Sequence, residues 1–118
     1  ICVDVRYPEY FRELVMKGVE VIFLPSNFRV RTGAIAWDVL TRARAIENQL
    51  YLCACGQTGG EGMYERCGNS RVISYDGTIR AQLGLEEGTL TTELDLEALR
   101  VFRKEFPVLS QVTAISRF

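Results

Sequence analysis

Ile1-Cys2-Val3-Asp4-Val5-Arg6-Tyr7-Pro8-Glu9 opens the chain, and the fold is read outward from it. Ile1 to Val5 reads as a short strand already in progress, which sets the expectation that the chain is truncated at its N-terminus. Pro8 sits where a first helical position belongs, and Glu9 falls in the first turn, where the positive helix end favours an acid. Phe11, Leu14 and Val15 then occur at i, i+3 and i+4, one face of a helix. Lys17 and Gly18 supply a basic last turn and a left-handed stop. Val19 to Leu24 is a short apolar strand ended by Pro25. Strand, helix, strand predicts an α/β unit, with a right-handed crossover if the two strands pair in parallel.

Further along, Ser26 to Gly33 is a polar loop holding Asn27, Arg29 and Arg31. A second helix follows, with Trp37, Leu40, Ile46 and Leu50 broadly on one side and Asp38 and Arg42 spaced for a surface pair. Leu50 to Cys55 reads as a buried strand, and Gln57 to Gly68, rich in glycine and charge, as a surface loop. Val72 to Tyr75, Asp76-Gly77 and Thr78 to Leu83 spell a hairpin. Leu90, Thr92 and Leu94 alternate along a further expected strand. Asp95 can cap a closing helix whose apolar side is Leu99, Phe102 and Phe106, and Pro107 ends it. With no internal repeat or linker, residues 1–118 read as one continuous α/β domain.

Composition narrows the function classes. The 118 residues carry a net charge of −1, 47% hydrophobic and 25% charged residues, as an ordinary soluble domain does. Such a balance holds no general attraction for nucleic acid or an anionic membrane, and no apolar run reaches the length of a membrane span. Four cysteines and no histidine do not suit a disulfide scaffold. Cys53-Ala54-Cys55 is C-x-C, not the paired C-x-x-C of a zinc site. The expectation is a cytoplasmic protein with reduced thiols and neither metal nor cofactor.

Few residues are candidates for chemistry. Cys2, at a strand–helix junction, is placed either as a nucleophile near a helix's positive end or as a packed apolar thiol; position alone favours the packed thiol. Cys2, Asp4 and Arg6 share a face if the strand runs through them. Arg6 then either binds a substrate carboxylate and braces the nucleophile loop, or forms a structural ion pair. Arg42 to Gln49 reads as a solvated helix face. Cys53 and Cys55 read as strand packing, Cys67 as an inert loop thiol, and Gly59-Gly60 as a loop without the Lys-Ser/Thr of a phosphate cradle.

The opening nonapeptide resembles the nucleophile motif of the nitrilase superfamily of carbon–nitrogen hydrolases: a Cys followed by Asp, Arg, an aromatic, Pro and Glu. The resemblance continues through Gly18 to Ile22, Leu24 to Phe28, Thr32-Gly33, Trp37, Arg42 to Gln49, Gly68 to Ser70, Asp76-Gly77 and Asp95 to Val108. It covers essentially the whole chain and reverses the reading of Cys2 in favour of the nucleophile. It implies the C-terminal half of a four-layer α-β-β-α sandwich, forming a homodimer or higher homo-oligomer through helices paired across subunits. It also implies Cys2 as nucleophile on a small-molecule amide or nitrile, the Val3 N–H as oxyanion donor, and a thioester intermediate. The family's Glu base and Lys lie upstream of the motif, so this chain alone is not expected to be a competent hydrolase. Ala36 and Asn69 stand where many relatives have His. The look is that of small amidases acting on ω-amides of dicarboxylates, with Arg6, Asn27 and Phe28 shaping the acyl pocket. A nitrilase, an N-carbamoyl amino acid amidohydrolase, a non-catalytic association subunit and a thiol redox protein are the alternatives.

Overall fold

Pro8 begins the first helix as expected, and the residues before it depart from expectation. In the computed structural model, which describes residues 1–112, Cys2–Arg6 is a 3-10 turn and not a strand. Cys2 has φ 53°, which no pleated strand accommodates. The residue ahead of a proline is held extended, so Tyr7 (φ −108°, ψ 95°) separates the turn from the helix Pro8–Met16, α1. Cys2, Asp4 and Arg6 therefore do not share a strand face.

The crossover predicted at the start of the chain occurs one unit later. β1 (Val21–Ser26) runs into α2 (Val30–Asn48), which returns to β2 (Tyr51–Gly56), parallel to β1. β3 (Arg71–Ile73) and β4 (Ile79–Gln82) complete a mixed sheet in the order β1-β2-β3-β4, and both of their pairings are antiparallel. Pro25 lies inside β1 and does not end it. Among the described residues β1 is an edge strand, where a proline is tolerated. The β3–β4 turn is as predicted: Gly77 takes φ 87°, and the Asp76 carboxylate accepts the Thr78 N–H at 2.9 Å.

Leu90, Thr92 and Leu94 are partly buried and their neighbours Thr91 and Glu93 exposed, but the segment forms no ladder. Alternation there reports half-burial without pairing. Asp95 caps α3 (Leu96–Glu105) by accepting the Ala98 N–H at 2.9 Å. Leu99 is fully buried beneath it, whereas Phe106 is exposed.

α2 holds the largest correction. Its buried residues are Gly33, Trp37, Thr41, Arg44, Ala45 and Asn48, while Ile46 is about half exposed. Gly33, Trp37, Thr41, Arg44 and Asn48 step by four, four, three and four, a helical stripe that an apolar-only count misplaces. Arg42 to Gln49 is therefore no solvated face: Arg44, Asn48 and Gln49 are all buried. Nor do Asp38 and Arg42 pair. Asp38 binds the buried Arg71 of β3 at 2.6 Å, and Arg42 Nε donates to the Gly77 carbonyl at 3.2 Å. The hairpin packed beside α2 offers both side chains better-fixed partners than each other.

One core cluster joins Val5, Phe11 and Val15 to Leu24, Phe28, Trp37, Leu52 and Ile73, on the sheet face covered by α1 and α2. The other face carries Phe23, 75% exposed, in an apolar groove of about 450 Å³ with Pro25, Cys53, Cys55 and Val72. No helix among the described residues is long and apolar enough to cross a membrane.

Candidate active site

The turn Cys2–Arg6 rests against β1 and α2, which sets Cys2 beside the loop leaving β1. The Asn27 N–H donates to Cys2 Sγ at 3.3 Å. Around this contact lies a cavity of about 280 Å³ lined by Cys2, Val3, Arg6, Asn27, Phe28, Arg29 and Thr32. All five residues expected at the site meet there, although the strand that was to align Cys2 with Arg6 is a turn.

Two arginines dominate the lining, and no acid is part of it. Arg6 lies with its guanidinium 5.5 Å from the centre of the Phe28 ring and directs an N–H to the Thr32 carbonyl at 3.4 Å. Phe28 is buried, leaning on Trp37 with ring centres 5.4 Å apart, so the surface under Arg6 is rigid. Arg29 stacks over Tyr64 at 5.0 Å. Among the acids near Cys2 in sequence, Glu13 is engaged elsewhere. Lys17, at 2.7 Å from Glu13, holds that carboxyl below the usual glutamate range. Arg29 and Thr32 also line the cavity and carry no mark in the sequence: Arg29 immediately precedes α2, and Thr32 lies in its first turn, outside the buried stripe.

A match to the family model for carbon–nitrogen hydrolases runs over residues 1–104. The chain belongs to the carbon–nitrogen hydrolase family. Over 112 residues the chain is 40% identical to a deaminated glutathione amidase of Synechocystis, covering 92% of the chain and 40% of the relative. It superposes with a TM-score of 0.84 and 34% identity on Nit3 of Saccharomyces cerevisiae, a member of branch 10 of the nitrilase superfamily, covering 91% of this chain and 40% of Nit3. It also matches a mutant amidase of Nesterenkonia sp. AN1 that carries the acetamide moiety of fluoroacetamide on its active-site cysteine. There the TM-score is 0.66 and the identity 30%, over 74% of this chain and 33% of the amidase. The chain thus spans about two-fifths of the length of the relatives it matches.

The remaining thiols of the chain differ from Cys2 in setting. Burial pushes the Cys53 and Cys67 thiols up, Cys67 with help from the Glu65 carboxylate. Cys67 is also tied into the fold, its N–H donating to the Phe28 carbonyl at 2.8 Å. Cys2 is the thiol that opens into the cavity holding the two arginines.

Proposed function

We propose that this chain supplies the nucleophile and part of the acyl pocket of an amidase for small amides that bear a carboxylate. The observation that carries the reading is the cavity uniting Cys2 with Arg6 and Arg29 and lined by no acid. Cys2 Sγ attacks the amide carbonyl carbon, the C–N bond breaks, and ammonia leaves with a proton. Water then opens the thioester, releasing a carboxylic acid and the thiol. The Val3 N–H, next to the nucleophile, is the oxyanion donor. Arg6 and Arg29 orient the distal carboxylate, for which a guanidinium fork is geometrically suited. In the family resembled, the Glu base and Lys of this mechanism lie upstream of the nucleophile motif.

Support comes from the amidase names of the relatives and from the cysteine adduct of the Nesterenkonia enzyme. The proposal extends to a cytoplasmic homodimer: all four thiols are free, and Ile35, 82% exposed, and Val39 form an uncovered apolar strip on α2. Ammonia release by the full-length protein, assayed with ω-amides of dicarboxylates, uncharged amides and nitriles, tests the reading. Turnover is expected for the carboxylate-bearing amides, lost in Cys2→Ala and weakened mainly through KM in Arg6→Ala. Turnover that survives Cys2→Ala would overturn it.

A further inference from the structure

A buried guanidinium must find partners for its donors, and those of Arg44 lead from the middle of α2 to the nucleophile turn. Arg44 is 5% exposed and does not line the cavity. Its Nε donates to the Val5 carbonyl at 2.9 Å, and its Nη1 pairs with Glu47 at 2.7 Å. Its guanidinium also lies 5.9 Å from the centre of the Phe11 ring on α1. Arg12, one residue along α1, donates to the Glu47 carbonyl at 2.7 Å. Arg44 thus stands where α1, α2 and the Cys2–Arg6 turn meet.

Val5 is fully buried and belongs to the same short turn as Cys2. Cys2 itself is held at φ 53°, a conformation that persists only where the surroundings over-determine it. Displacement of the Val5 carbonyl is carried through this stiff turn to Sγ and its contact with the Asn27 N–H.

We propose that Arg44 is a positioning residue for the nucleophile: through the Val5 carbonyl it sets the turn that presents Cys2 to the cavity. The proposal rests on the reading of Cys2 as nucleophile. Lysine cannot reproduce the role, since one guanidinium here serves a carbonyl and a carboxylate in fixed directions.

Arg42 provides a matched control. It also donates Nε to a backbone carbonyl, that of Gly77, but tethers α2 to the β3–β4 hairpin, away from Cys2. The experiment compares Arg44→Lys and Arg42→Lys in the full-length protein. Two readouts are taken: site-resolved alkylation of Cys2 by iodoacetamide across pH, and kcat and KM for amide hydrolysis. A misplaced reacting atom costs on the order of 10- to 100-fold, so Arg44→Lys should slow Cys2 alkylation and lower kcat by that much, with KM little changed. Arg42→Lys should leave both rates near wild type.

Wild-type Cys2 alkylation in a folded Arg44→Lys protein would overturn the proposal. Equal slowing in both variants would do the same, by showing a general loosening of α2. If Arg44→Lys does not fold, Glu47→Gln takes its place. It removes the carboxylate that aims the guanidinium, and a wild-type alkylation rate in that variant counts against the proposal. Wild-type Cys2 that reacts no faster than Cys53 or Cys67, with hydrolysis surviving Cys2→Ala, would sink the nucleophile reading itself. Selective Cys2 labelling that is unchanged in the variants would sink only the positioning role.

Discussion

The four cysteines share one chemistry and differ only in surroundings. Cys53 and Cys67 have thiols pushed up by burial, so at mildly alkaline pH their thiolate fraction is below that of a solvent-exposed thiol. Brief iodoacetamide treatment of the native protein near pH 8 is expected to label Cys2 well before Cys53 and Cys67, with the last two reacting fully only after denaturation. Peptide mass mapping reads the order, and early labelling of Cys67 would contradict the packing around it. Cys2 was visible in the sequence only through the residues after it, Asp4 to Glu9. Position alone pointed to a packed thiol, because free cysteine is more often a buried small hydrophobe than a nucleophile. The loop arginine Arg29 had no local signal, since no period governs a loop.

At the scale of the element, legibility followed the range of the interaction. α1 begins at Pro8 because its ring sets φ, and the hairpin turns at Asp76-Gly77 because glycine accepts φ 87°. α3 starts at Asp95 because a carboxylate there can take an orphan N–H, at 2.9 Å from Ala98. Asp95→Ala removes that cap while the backbone of residue 95 keeps its two 3.2 Å bonds to the Tyr51 hydroxyl. A loss of about 1 kcal/mol is expected, seen as a lower urea midpoint at unchanged slope; no shift would mean that α3 owes its start to packing alone. α2 was legible as a helix but not as to its buried side. Its inward stripe contains Thr41, Arg44 and Asn48: Thr41 and Asn48 bond back to the Trp37 and Arg44 carbonyls one turn earlier, and Arg44 reaches the Val5 carbonyl, a partner that only the folded chain supplies.

Across the whole molecule, α3 is held to the start of β1 by an ion pair spanning 80 residues. Both Glu20 carboxylate oxygens accept from Arg100 at 2.8 Å, and on the same helix Phe102 packs against Tyr75 with ring centres 4.8 Å apart. Arg100 holds the Glu20 carboxyl below its ordinary value of 4.5. A lowered folded value means that the stabilisation is complete above the unfolded pKa and is lost as pH falls through the folded one. The pair is partly exposed, so its contribution is modest. The near-ultraviolet dichroism of the aromatic stack is expected to weaken as pH drops below 4.5, and Glu20→Gln should reduce that dependence. An identical acid limb in the variant would refute the coupling.

The sequence by itself determined the α/β class, the helix starts at Pro8 and Asp95, the hairpin at Asp76-Gly77 and, through its resemblance, the family. Each of those structural features is set by backbone preferences or caps acting within a few residues. Only the tertiary structure decided that Cys2–Arg6 is a 3-10 turn and not a strand, that Leu90 to Leu94 does not pair, and that Arg44 faces inward to Val5. A short apolar stretch satisfies its backbone either in a ladder or in a turn, and which one wins depends on what lies beside it. For Val5 the neighbours are β1 and the inward stripe of α2, whose Arg44 lies 39 residues along the chain.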